Sequence, residues 1–327
     1  MQDPTPDLTD WYRALTLAER TALADLPALP PVNGDQDGDE HARRRIEEWR
    51  ALTAFKSGPW RERHLESLGL TEESFERLVA LPPERLGAPP PAWMTEISDR
   101  RAPDDTALPP LPIAANVSIA AGFLELVRPL VERARRRLRD DLAALGAQAA
   151  GPLPFTAESA LQMASATLPY RILPLLSRTL VLELNVARLQ ELLAGTTPEE
   201  RFASFVERLR DPETADAILR EYPVLARQVQ LDLELFREAV HEIFSQLAAD
   251  WPEIVARLFG GQDPGPLTAL DGGAGDRHRR GRAVRILTFS DSSRLVYKPR
   301  SLLVEAHFQE LLAWVNAEGG PLGFRTL

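Results

Sequence analysis

The chain has 327 residues, of which 44% are hydrophobic and 26% charged, the profile of a soluble globular protein long enough for about two domains. Its net charge of −10 argues against nucleic-acid binding, and the absence of cysteine excludes disulfides and every thiolate zinc site. The first ten residues are acidic and lack the apolar stretch of a signal peptide, and no run approaches the eighteen or so apolar residues of a membrane span, so a cytoplasmic location is expected.

Helix signals dominate from the start. Thr16-Leu-Ala-Glu19 and Thr197-Pro-Glu-Glu200 read as capping boxes, in which a threonine hydroxyl and a glutamate three residues later satisfy backbone donors of the first turn. Between them, residues 25–40 read as an acidic, proline-containing loop and residues 81–112 as a long irregular connection, partly extended. After Thr197, Phe202, Phe205, Val206 and Leu209 recur at helical spacing. Asp211-Pro212 opens another helix, and Tyr222-Pro223 interrupts it before a long helix over about 225–259. Residues 261–281, rich in glycine, proline and aspartate, read as a connection to a different region. There the runs 283–289 and 294–298, joined by Ser290-Asp-Ser-Ser293, predict a hairpin. Pro299 ends it, and Ser301 is placed to cap a helix carrying Val304, Phe308, Leu311, Leu312 and Val315. The expected fold is mainly α with a small β hairpin. Three regions are expected: a helical N-terminal region with a proline-rich connection (1–110), a helical part (111–260) and a partial lobe of glycine-rich turn, hairpin and helix (261–327).

Several motifs stop short of a site. Asn33, Asp35, Asp37 and Gly38 begin like a calcium loop, but its twelfth position is Arg44 instead of a bidentate glutamate. His241-Glu242 begins like a zinc-protease helix, but Ser245 stands where a second histidine belongs. Gly273 and Gly275 begin a dinucleotide fingerprint that fails at His278. The arginine runs 43–45 and 135–137 read as solvated helix faces. One arrangement has a chemical use: a glycine-rich turn, a hairpin, Lys298 at the end of its second strand, then a helix with Glu305 and Glu310. A lysine so placed can meet nucleotide phosphates while an acid on the next helix holds it. Arg300 can face phosphate or pair with a helix acid.

Gly275-Asp-Arg-His278-x-x-Gly281, the run 284–289 and Val296-Tyr-Lys-Pro-Arg-Ser-Leu302 resemble the dehydratase domain of class II lanthipeptide synthetases. So do Arg178-Thr-Leu-Val-Leu-Glu-Leu-Asn185, Thr197-Pro-Glu-Glu-Arg-Phe202 and Glu221-Tyr-Pro-Val-Leu-Ala-Arg227. The resemblance runs from about Trp49 to the end of the sequence. It implies a lipid-kinase-like core with helical additions. Such an enzyme uses ATP and magnesium to phosphorylate serines and threonines of a lanthipeptide precursor peptide, then eliminates phosphate to leave dehydroamino acids. It implies that Lys298 contacts the ATP phosphates, with Glu305 or Glu310 as its partner, and that Asp276 and His278 handle the phosphorylated intermediate. A histidine there can move a proton near neutral pH, and a neighbouring carboxylate can orient it. The family's catalytic loop, metal-binding aspartate and zinc-dependent cyclase lie beyond the segment that Leu327 closes. The expectation is therefore an N-terminal dehydratase fragment, silent alone and without zinc. Two alternatives stand beside it: half of a split synthetase completed by a second polypeptide, and a non-catalytic module that binds the leader peptide. The split form predicts an exposed apolar surface on the hairpin and on the helix at 302–316.

Overall fold

A computed structural model describes residues 8–24, 37–52, 56–82, 86, 89–98, 108–272, 280–319 and 323–326. The protein is mainly helical with a small antiparallel sheet, as expected. It divides into two compact units, one formed by Met1–Arg100 with Asp216–Gln228, the other by Arg101–Ala215 with Val229–Leu327.

In the first unit a 3-10 turn at Thr9–Ala14 leads into α1 (Leu17–Leu23), whose N-terminus carries the predicted Thr16–Glu19 capping box. Then come α2 (Asp37–Ala51), α3 (Gly58–Ser67), α4 (Glu72–Ala80) and α5 (Ala92–Ser98). One of these elements falls inside a stretch expected to be irregular, and another begins in one. The acidic segment turns helical at Asp37, and α5 forms between prolines because Trp93, Met94 and Ile97 share one buried face. Trp11, Phe75, Leu78, Met94 and Ile97 form the core. The segment 216–228 closes it: Arg220 lies over the Trp11 ring and binds Asp10 at 3.0 Å, and Arg227 lies over Trp93 and reaches Glu19.

The second unit is built on α6 (Arg128–Gln148), α7 (Ala157–Ser165), α8 (Leu168–Leu189) and α9 (Pro198–Arg210). The predicted capping box at Thr197 and Glu200 opens α9. A 3-10 segment, Ala120–Val127, packs against both α8 and α9. Gly122 permits this approach, since a β-carbon there would lie 2.5 Å from a Val206 methyl. Next come α10 (Pro212–Glu221) and the 36-residue α11 (Pro223–Leu258), each starting at the proline that the sequence marks.

The sheet has three strands in the order β1-β2-β3: Leu267–Gly272, Arg285–Phe289 and Arg294–Tyr297. β2 and β3 are the predicted hairpin. β1 was expected to be loop; it pairs antiparallel with β2 through a register shift between Leu267 and Ala269, and it buries Leu267 and Leu270. The strand carries too few apolar residues to announce itself, but covering one edge of β2 satisfies backbone groups that a lone hairpin leaves open. The sheet is seated on α11 by aromatic contacts, with Phe289 stacked on Trp251 at 5.4 Å and met edge-on by Phe259 at 5.5 Å. The last helix, α12 (Leu303–Ala317), has no buried residue. The Ser301 hydroxyl accepts from the Leu303 N–H at 3.3 Å, although Leu302 occupies the cap position itself.

Candidate functional site

The hairpin ends where its backbone pairing ends, at Tyr297 opposite Arg285, and Lys298 is the next residue. Side chains alternate along a strand, so a half-buried Tyr297 places Lys298 on the opposite, solvent-facing side. Lys298 Nζ lies 3.3 Å from Glu305 Oε1 in the first turn of α12. Arg300 converges on the same carboxylate, with Nη1 3.1 Å from Oε2 and Nη2 on Oε1. Glu305, then, and not Glu310, is the acid at the lysine, and Arg300 pairs with it. These bonds, from Arg300 first and then from the backbone of Glu305 and from Lys298, outweigh desolvation and hold the Glu305 carboxyl below its ordinary range. The result is a half-exposed cluster of two cations on one carboxylate, the donor chemistry that meets phosphate oxygens.

Asp276 and His278 lie outside the described residues, as do Asn33, Asp35, Gly273 and Gly275. The described chain resumes at Arg280, and its return is anchored. Arg280 binds Glu238 at 3.1 Å, and Arg282 Nε donates to Glu242 Oε2 at 2.7 Å; the two acids are one turn apart on α11. Between them Gly281 has φ +81°, and a β-carbon there would lie 3.3 Å from an Arg171 nitrogen of α8. Arg171 is itself fixed by Asp232 of α11 at 2.9 Å, with side chains only 6% and 20% exposed. Glu242 also accepts from the Tyr297 hydroxyl at 3.3 Å. Burial, followed by the Glu242 charge and this hydrogen bond, pushes the Tyr297 phenol up to about 12. In the sequence Glu242 stood out only as part of a failed zinc-protease pattern, and the anchoring pairs not at all; the i, i+4 spacing of Glu238 and Glu242 was visible, but their arginine partners lie some 40 residues away.

His241 lines a cavity of about 410 Å³ with Glu238, Glu242, Gln246 and Arg282. Among the described residues no group of three histidine, cysteine, aspartate or glutamate side chains could hold a metal ion. The arginine run of α6 departs from expectation. Arg135 and Arg136 are buried, and Arg135 donates to Ser165 Oγ at 3.0 Å and to the Pro109 carbonyl at 2.7 Å. It is a bracket for the extended segment at 108–114, beside a cleft of about 530 Å³ that Leu124, Val131 and Arg210 also line. No described helix is long and apolar enough to cross a membrane.

Residues 222–327 match a family model described as a domain of unknown function, DUF4135. Over 147 residues the chain is 27% identical to the lacticin 481/lactococcin biosynthesis protein LcnDR2 of Lactococcus lactis subsp. lactis, a stretch covering 45% of this chain and 16% of that protein. The match thus spans about a sixth of the relative's length. The two findings point to a lanthipeptide synthetase-like family.

Proposed function

We propose that this chain carries the lysine-bearing part of a lanthipeptide dehydratase, an enzyme that phosphorylates serine and threonine of a precursor peptide with ATP and eliminates the phosphate. The observation that carries the reading is the convergence of Lys298 and Arg300 on Glu305 at the open end of the hairpin, inside the segment that matches the family model. Similarity to a lacticin 481/lactococcin biosynthesis protein supports the substrate class.

In this reading Lys298 is a point charge for the phosphate oxygens, and Glu305 keeps its long side chain from sweeping a wide volume before nucleotide arrives. Arg300 is the second cation, released from Glu305 to phosphate or left to steady it. ATP supplies the phosphoryl group that activates the hydroxyl for elimination. The same reading brings magnesium with the nucleotide, an ion that one or two carboxylates and the phosphate oxygens would hold together. Asp276 and His278 remain the proposed pair for the phosphorylated intermediate. The compartment proposed is the cytoplasm, where ATP and a freshly made precursor peptide coexist.

The chain contains two lysines, Lys56 and Lys298, which makes the test direct. An acyl-phosphate derivative of ATP transfers its acyl group to an amine beside the bound phosphates, forming an amide and releasing ATP. Lys298 is expected to be acylated, with excess Mg-ATP suppressing the reaction there and leaving Lys56 unchanged. Labelling at Lys298 that ATP does not suppress overturns the phosphate-binding role.

A second reading, in which a further protein segment completes the site, is favoured by α12. Leu303, Val304, Phe308, Leu311 and Trp314 are all exposed, Val304 to 74%. A helix apolar on several faces is ordinarily enclosed. Under this reading, ATP-suppressible labelling of Lys298 requires the added segment, whether joined to the chain or supplied as a second polypeptide.

A further inference from the structure

We propose that Glu242 of α11 is a positioning residue for Lys298, acting through Tyr297, with Arg282 orienting its carboxylate. The inference rests on the phosphate-binding reading of Lys298 for its purpose, though not for its geometry.

A two-stranded ribbon is closed at its turn and free at its other end. Here the closed end is at residues 290–293, where Asp291 accepts from the Ser293 N–H at 2.7 Å and from the Ser293 hydroxyl at 2.8 Å. The open end is the Arg285–Tyr297 pair, beyond which β3 has no further backbone partner in the ladder. Strand ends of this kind fray unless side chains hold them. Lys298 leaves from that end, so its starting point is only as fixed as Tyr297.

Tyr297 is held by Glu242. The contact is 3.3 Å, long for a hydroxyl on a carboxylate, so small rotations of the acid decide whether it forms. Arg282 removes that freedom by holding the other carboxylate oxygen, with Nε at 2.7 Å and Nη2 at 2.5 Å. Arg282 is itself braced. Its neighbour Gly281 abuts Arg171 of the buried Arg171–Asp232 pair, and Arg280 is tied to Glu238 one turn earlier on α11. The chain Asp232–Arg171–Gly281–Arg282–Glu242–Tyr297 therefore leads from the interior of the helical unit to the residue before the lysine. On the far side Lys298 is held by Glu305 of α12, a helix with no buried residue. Of these two restraints among the described residues, the one through Tyr297 is attached to the core.

The experiment compares acetylation of Lys298 and Lys56 by a small neutral ester in the full chain, read site by site by mass spectrometry, for the wild type, Glu242→Gln, Tyr297→Phe and Arg282→Gln. Lys56 is the internal reference, and circular dichroism melts establish that each variant folds. Freed from its strand-end restraint, Lys298 separates from Glu305 and reacts faster, raising the Lys298-to-Lys56 ratio by roughly threefold or more in each variant, a factor at the low end of what one hydrogen bond commonly carries. An unchanged ratio in folded Glu242→Gln and Tyr297→Phe overturns the proposal. If Glu242→Gln does not fold, Tyr297→Phe alone decides, since it leaves the Arg282–Glu242 pair in place. The ATP acyl-phosphate probe is run in parallel. A changed ester ratio without ATP-suppressible labelling retains the positioning role and removes the nucleotide reading; the reverse result removes only the positioning role.

Discussion

Glu19 is a heavily used carboxylate among the described residues of the first unit. Its Oε2 accepts from the Thr16 N–H and hydroxyl, each at 2.8 Å, its Oε1 takes the indole N–H of Trp93 at 2.9 Å, and Arg227 closes on it at 3.0 Å. Burial pushes its pKa up, but the hydrogen bonds from Thr16 and Trp93 together with Arg227 outweigh this, and the net shift is downward. A carboxyl with a depressed folded pKa contributes stability above the unfolded value of about 4.3, and that contribution is lost as the pH falls through the folded value. Glu19→Gln is expected to lower stability at pH 7 by about 1–3 kcal/mol, and to differ much less from wild type at pH 3. Urea unfolding followed by tryptophan fluorescence at the two pH values checks this; an equal gap at both would show that the charge is not what matters. Half of this arrangement was legible, because Thr16-Leu-Ala-Glu19 states its capping role within four residues. The other half, Trp93 and Arg227, was not, because long-range partners leave no local pattern. Arg135 shows the same limit: its position on a charged run reads as solvated, and only the Ser165 hydroxyl and the Pro109 carbonyl, far off in sequence, explain its burial.

Among the elements, the contrast between β2 and α12 is the sharpest. β2 alternates buried and half-buried residues, and Phe289 at its end sits between Trp251 and Phe259. Phe289→Ala is expected to cost about 3–5 kcal/mol. Phe308 and Trp314 on α12 are as large but 55% and 60% exposed, so Phe308→Ser and Trp314→Ser are expected to change stability by no more than about 0.5 kcal/mol. Thermal melts of the three variants test the pair of statements, and a large loss from either α12 change would mean that the helix is packed in solution. The hairpin was legible because β-branched and aromatic residues flank a serine-rich turn, and α12 because apolar residues recur at helical spacing. Its surface exposure was expected only under the split-synthetase alternative, not from the pattern, which would suit a buried helix equally well. β1 escaped because half of it is Thr268, Asp271 and Gly272, and a strand at a sheet's edge is specified by the partner it covers as much as by its own residues.

For the whole molecule, the organising fact is that neither unit is continuous in sequence, and that a short, late stretch closes the first. Its core residues Trp11, Phe75 and Met94 precede residue 101, yet Arg220 and Arg227, which cover Trp11 and Trp93, belong to 216–228. Phe75→Ala is therefore expected to speed hydrogen exchange in α1, in α4 and in 216–228 together, with the sheet exchanging as in wild type. Faster exchange confined to α4 would refute a shared core. The capping boxes and prolines mark where α9, α10 and α11 begin, but nothing in the period of these helices says that one short stretch serves a different core. The same arrangement sets a clock on the ribosome. The first hundred residues are made, and emerge, more than a hundred codons ahead of their closing segment. At about 5–20 residues per second, the faces of Trp11 and Trp93 wait on the order of ten seconds for their arginines, open meanwhile to chaperones and to neighbouring nascent chains.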